Sequence, residues 1–186
     1  QMSLAISQIQ PHFLYNTLST IAELCRKDSA MAEEVTNRFA LYLRGNLEHM
    51  GDSFPVEFSK ELKHVQTYLW IEKIRFQDEL QVVYDIQTED FIIPALTVQP
   101  LVENAVMHGM LGSEDVCTIT IRTKCVERGY QVIIEDDGCG FDPEQVKNDG
   151  RKHIGIESVR NRLKFMVGGT LTVKSAIGKG TTVIIE

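Results

Sequence analysis

Apolar residues recur at three- and four-residue intervals through the first quarter of the chain: Ile9, Phe13, Leu14, Leu18 and Ile21, then Val35, Phe39, Tyr42, Leu43, Leu47 and Met50. That spacing places them on one face of a 3.6-residue repeat and predicts helix from Leu4 to about Met50, either unbroken or divided near Lys27 to Ala30. Gly51, Asp52 and Pro55 stop it. Helical spacing resumes from Val56 to Glu79 through Leu62, Val65, Tyr68, Leu69 and Ile71, so the two segments are expected to form an antiparallel helical hairpin. Such a hairpin leaves an apolar stripe uncovered, and pairing with a second copy into a four-helix bundle covers it. A homodimer is expected.

Beyond Asp78 the period shortens. Val82 to Ile86 alternates as a strand does, Pro94 to Met110 reads as a buried helix, and Thr118 to Arg122 with Gln131 to Glu135 read as strands joined across Glu127, Arg128 and Gly129. Pro143 to Asp149 is short and polar. His153 to Val167 predicts a helix closed by Gly168 and Gly169, and Leu171 to Ser175 with Thr182 to Ile185 a last hairpin around AIGKG. Strands and helices without strict βαβ alternation predict an α+β chain whose mixed sheet is covered by helices on one face. The change of period sets the expected domain limits at 1–79 and 80–186.

Composition narrows the function. At 186 residues with 43% hydrophobic content, the chain can build one ordinary core or two small ones. A net charge of -7, from 26 acidic and 19 basic side chains, opposes direct nucleic-acid binding over the whole surface. Cys25, Cys117, Cys125 and Cys139 lack CxxC spacing and zinc-type histidine neighbours, so free thiols in a reducing cytoplasm are expected. No apolar run approaches the ~20 residues that span a bilayer. The chain opens already in helical periodicity, QMSLAISQIQPHF, which points to more polypeptide upstream and to membrane attachment through it.

Two distant stretches carry candidate chemistry. His12 follows Pro11 inside a helical pattern, where proline removes a backbone hydrogen bond and crowds the preceding turn, so a kink or local irregularity is expected beside it. An imidazole held accessible there is a nucleophile at neutral pH, and a phosphoryl group on its nitrogen makes a labile bond suited to onward transfer. A lone histidine is more often simply hydrogen-bonded, and only the letters around it change that weight.

In the second stretch, PLVENAVMHG sets Glu103, Asn104 and His108 on an otherwise apolar helix, and the three are expected together at a pocket mouth. The Asn104 carbonyl is a hard oxygen ligand for Mg²⁺, which takes few protein ligands; local hydrogen bonding is the alternative. Glu103, the nearest carboxylate, is the expected base or histidine-orienting group, with a structural role equally open. IIEDDGCGFD ends a strand in two acids, of which Asp137 is expected to accept the exocyclic amine of adenine, while Gly138 and Gly140 let the backbone approach the flat base. HIGIESVRNRL opens a helix whose N–H groups suit phosphates, and GKGTT supplies a tight turn with two hydroxyls. Lys147, Arg151, Lys152, Arg160, Arg162 and Lys164 gather nearby, a field that suits a triphosphate about as well as a solvated helix face.

QIQPHFLYNTLSTI, residues 8–21, resembles the phosphoacceptor box of the LytS-like sensor histidine kinases of bacterial two-component systems in Pro11, His12, Phe13, Leu14, Asn16 and Leu18, and departs from it at Ser19. Phe13 stands where many other histidine kinases place a proton-accepting acid. YLWIEKIRFQDEL, with Arg75 and Phe76, is similar to the close of that family's second helix. The order ENAxxHG, DDGxGFD, GIxxVRxRL and GxGT resembles the GHKL-type ATP-binding domain, a two-layer α/β sandwich shared by histidine kinases, type II topoisomerases and Hsp90 chaperones, with departures at His153 and Ser158.

The resemblance implies ATP-dependent autophosphorylation of His12, with Mg²⁺ on Asn104, the adenine amine on Asp137, and Gly138 and Gly140 against the base. His108 would stand beside the nucleotide, phosphate contacts would fall near Gly155 and Ile156, and the late turn would be Gly180, Thr181 and Thr182. It further implies a hinge near residues 78–82, transfer to an aspartate of a response regulator, and a cytoplasmic position beneath the bacterial inner membrane. The rivals are a degenerate kinase acting as a dimeric scaffold, and a GHKL-type serine kinase or ATPase.

Overall fold

The computed structural model describes residues 10–49, 54–110, 116–142 and 154–186. The chain divides into two compact units, one drawn from Gln1–Ser53 and Lys63–Gln77, the other from Phe54–Leu62 and Asp78–Glu186. The bases expected at Lys147, Arg151 and Lys152, the polar run 143–149 and the departure at His153 lie outside the described residues.

In the first unit the leading helical segment is divided, into α1 (Pro11–Lys27) and α2 (Ser29–His49). Asp28 makes the break. Its backbone is extended (φ -152°, ψ 90°), its N–H closes α1 on the Leu24 carbonyl, and its carboxylate accepts the Met31 N–H at 3.0 Å as the N-cap of α2. The chain reverses there, so Phe13 near the start of α1 meets Phe39 and Tyr42 of α2 at ring centroids 5.9 and 4.9 Å away. Tyr68 of α3 (Phe58–Phe76) completes the cluster, 4.9 Å from Phe13. The expected hairpin is therefore revised: α1 and α2 form it between themselves, and the later helix packs against it. Helical periodicity on both sides of a one-residue break cannot register a reversal of direction. Gln10 before it is extended (φ -60°, ψ 115°), the local irregularity expected beside His12, and Pro11 begins α1 in the N1 position, where its missing N–H costs nothing.

The second unit holds a five-stranded mixed sheet of β2 (Leu80–Ile86), β4 (Cys117–Val126), β5 (Gly129–Asp136), β6 (Leu171–Ser175) and β7 (Thr181–Ile185), in the order β2-β4-β5-β7-β6. Only β2 and β4 run parallel. A separate two-stranded ladder pairs β1 (Pro55–Glu57) with β3 (Ile92–Pro94). Pro94 thus ends a strand, and helix α4 (Val98–Gly109) starts four residues later than the apolar run alone predicts.

Helix α4 packs on β4 and β5, and α5 (Ile154–Val167) packs on α4 and β6, so one face of the sheet is covered. Ile119 and Ile121 of β4, Val132 and Ile134 of β5, and Leu163 of α5 are buried there, and each contributes about 1.5–3 kcal/mol. Their alternate neighbours Thr120, Arg122 and Glu135 stay partly exposed on the other face. Gly168 (φ 68°) terminates α5, with the Gly169 N–H returning to the Leu163 carbonyl at 3.1 Å. Helices followed by a mixed-sheet α/β domain are the α+β order expected from the sequence.

Candidate nucleotide site

Positions i, i+3, i+4 and i+7 of a helix share one face. Leu101, Asn104, Ala105 and His108 of α4 do so, and they form one wall of a cavity of about 260 Å³. Ile134 and Asp136 of β5, Val173 of β6, and Thr181 and Val183 of β7 form the floor. Cys139, Gly140, Phe141 and, from α5, Ile156 close the sides. Glu103 is not part of this lining. One residue turns a helix by roughly 100°, and this carries its carboxylate away from Asn104 to a buried place where it accepts the Gln99 Nε2 at 2.7 Å. The expected trio of Glu103, Asn104 and His108 is thus corrected to a pair.

The two adjacent acids are placed differently. Side chains alternate along a strand, and Asp136 is in phase with the buried Val132 and Ile134, so its carboxylate faces the cavity. Asp137 points elsewhere, with its Oδ1 taking the Thr118 N–H at 2.6 Å. Asp136 is 8% exposed. Burial pushes its carboxyl up from the ordinary 3.8 to about 6, against the pull of hydrogen bonds from Gly138 and Thr181 and with the added push of Asp137. Asp136, and not the expected Asp137, is thus the acid that lines the cavity, and the period-two phase of VIIED carries the signal for it.

The glycines serve the frame as well as the cavity. A Cβ on Gly138 would strike the Gly109 backbone at the end of α4, so this glycine lets the loop lie against the helix. Gly140 (φ 59°) lines the cavity, and a Cβ there would collide with the Ala176 carbonyl. Gly180 (φ 71°) is pressed in the same way on the Asp136 carbonyl. Thr181 reaches the cavity and Thr182, one strand position on, does not. Gly155 is exposed in the first turn of α5, next to the lining residue Ile156.

Of the basic group, Arg160 pairs with Glu157 at 2.6 Å, and Arg162 donates Nη2 to the Leu96 carbonyl at 2.8 Å. Ser158 is exposed on α5. All four cysteines are free. The Cys117 thiol is pushed up to about 12 by burial and by the charges of Asp137 and Asp136.

In the first unit His12 is exposed in the opening turn of α1. The Asn16 Nδ2 lies 3.1 Å from both of its ring nitrogens. Arg75 Nη1 donates to Glu72 at 3.1 Å and its guanidinium covers the Phe76 ring at 3.9 Å, a local packing role. Among the described residues no helix is long and apolar enough to cross a membrane.

The family model "Histidine kinase" matches residues 1–80, and "Histidine kinase-, DNA gyrase B-, and HSP90-like ATPase" matches residues 90–186. YwpD of Bacillus subtilis (strain 168) is 39% identical over 98% of this chain and 68% of its own length. The sensor histidine kinase YpdA of Escherichia coli (strain K12) is 34% identical over 90% of this chain, and the sensor protein LytS of Bacillus subtilis 29% identical over 97%. The chain spans about a third of those two proteins, 31% and 32%. Among solved structures, the histidine kinase domain of the Erythrobacter litoralis EL346 blue-light activated histidine kinase has the same fold, with a TM-score of 0.59 at 17% identity over 95% of this chain and 93% of that one. With both parts matched in order, and with LytS-type kinases among its relatives along nearly its whole length, the chain belongs to the sensor histidine kinases as a LytS-type catalytic region with its ATPase-type domain.

Proposed function

We propose that the chain phosphorylates its own His12 from ATP and passes the phosphoryl group to an aspartate of a response regulator. The observation that carries this reading is the buried carboxylate of Asp136, the one acid among the described residues that line the largely apolar cavity. About 260 Å³ is small beside the roughly 300–1,000 Å³ of sites that enclose a whole ligand, so the cavity suits a flat base and leaves the phosphates outside. Ionised Asp136, rather than Asp137, accepts the exocyclic amine of adenine, and the walls exclude water from the ring. Half-buried Asn104 offers its amide oxygen to Mg²⁺ and exposed His108 stands on the solvent side, with Gly155 and Ile156 of α5 toward the phosphates and the turn of Gly180 and Thr181 beneath the base. Bound Mg²⁺ supplies charge neutralisation on the phosphates.

His12 forms a bond from a ring nitrogen to the γ-phosphorus as the bond to the bridging oxygen breaks and ADP departs with the electron pair. The ring proton is lost to water at this exposed position, and Glu103 is assigned no proton transfer. Asn16, a donor to the free ring, can then donate to a phosphoryl oxygen. The positive first turn of α1 favours the added negative charge.

Residues 1–79 serve as the dimerising phosphoacceptor part and 80–186 as the ATP-binding part, with a hinge by Gln77–Glu79, where Gln77 has φ 52°. Exposed Tyr15, Leu18, Leu41 and Leu47 on α1 and α2 support the homodimer. The greater length of the relatives supports a cytoplasmic portion of a membrane-anchored sensor. No observation favours a scaffold or a serine kinase. Incubation with γ-labelled ATP and Mg²⁺ tests the proposal: an acid-labile label present in the wild type and absent from His12→Gln is expected. Failure to bind ATP, or an acid-stable label on serine, overturns it.

A further inference from the structure

Helix α4 carries Asn104 and His108, yet its own N-cap residue does not cap it: Thr97 makes no capping bond, and its buried Oγ1 has no hydrogen-bond partner among the described residues. The cap comes from another element. Glu61, in the first turn of α3 and 1% exposed, accepts the N–H groups of Val98 at 2.9 Å and Gln99 at 3.3 Å on Oε1, and that of Leu96 at 2.9 Å on Oε2. Leu96 is itself unusual, with φ 54° in the left-handed region that a leucine avoids. Such a conformation persists only where its surroundings over-determine it. Here its N–H is held by Glu61 and its carbonyl by the Arg162 guanidinium of α5, at 2.8 Å. Two buried or half-buried charges from separate helices thus grip both polar groups of one strained residue, at the point where α4 begins.

We infer that Glu61 and Arg162 are positioning residues for nucleotide binding, which lock Leu96 and so set where Asn104 and His108 of α4 stand in the cavity. The inference rests on the reading that this cavity takes Mg-ATP. A helix is stiff, and Asn104 lies about 9 Å along it from Val98. A shift or rotation at the start of α4 therefore reaches the cavity wall. Because α5 also supplies Ile156 to that wall, Arg162 ties both helical sides of the site to the same residue.

The test uses the full chain. Glu61→Gln keeps the shape and sets an amide donor against a backbone N–H, while Arg162→Met keeps the apolar stem and removes the donor. Each is expected to weaken Mg-ATP binding about tenfold, the scale of one charge-assisted hydrogen bond. The double variant is expected to be no weaker than the worse single by more than about twofold, as for groups acting on one element. Leu96→Gly, which keeps both grips and relieves the strain, is expected to bind within about twofold of wild type. A merely structural cap would lower the melting temperature and leave the Kd of the folded protein unchanged, and that result in Arg162→Met overturns the inference. A measurement needing no variant decides the case if the substitutions do not fold. Saturating Mg-ATP is expected to slow hydrogen exchange of the Leu96, Val98 and Gln99 amides, and unchanged exchange overturns the inference. Wild-type protein that binds no Mg-ATP would instead refute the proposed function.

Discussion

Asp136→Asn separates what the site does for nucleotide from what it costs the fold. The wild-type carboxyl has its pKa raised from 3.8 to about 6 by burial. A carboxyl raised on folding contributes stability below its unfolded pKa and loses it as pH rises through the folded one, so the decline runs from about pH 4 to pH 6. At about 1.4 kcal/mol per pH unit the full cost approaches 3 kcal/mol. The carboxylate borders a cavity that solvent reaches, and screening discounts this to about 1–3 kcal/mol. Asparagine is neutral throughout, and its carbonyl can still accept from Gly138 and Thr181. Urea unfolding of both proteins from pH 4 to pH 8 reads the difference, in which other titrating groups cancel. The variant is expected to match or trail wild type near pH 4 and to exceed it by about 1–3 kcal/mol at pH 8, while its Mg-ATP affinity falls at least about tenfold. A stability difference that stays flat across that range would refute the burial argument. Unchanged affinity would refute the assignment of the base to Asp136.

In wild type, calorimetry at a series of pH values is expected to show Mg-ATP affinity falling below about pH 6, because the protonated carboxyl must ionise before accepting the adenine amine. Gly140→Ala places a Cβ against the Ala176 carbonyl at φ 59°, and a loss of about 2 kcal/mol or more in denaturant unfolding is expected, together with loss of ATP binding. Phe13→Ala empties the centre of the cluster with Phe39, Tyr42 and Tyr68 and should cost about 3–5 kcal/mol, read by chemical denaturation. Iodoacetamide at pH 8 followed by mass spectrometry is expected to label exposed Cys25, Cys125 and Cys139 and to spare buried Cys117.

Periodicity and punctuation by themselves determined the helical first part, the strands of the five-stranded sheet, the closing glycines of α5 and the wall residues Asn104 and His108. These are local consequences of side-chain spacing, and they survive whatever the chain packs against. Other features were decided only in three dimensions. Asp28 reverses the first helical segment because a cap and one extended residue outweigh a continuous apolar stripe. Asp136 rather than Asp137 enters the cavity because the phase of β5 is pinned by burial of Val132 and Ile134 against α4. Glu103 turns away because the helix axis is fixed by the face that α4 gives to the sheet. The left-handed Leu96, gripped by Glu61 and Arg162 from 35 and 66 positions away, has no local signature: the groups that hold it meet only when the chain is folded.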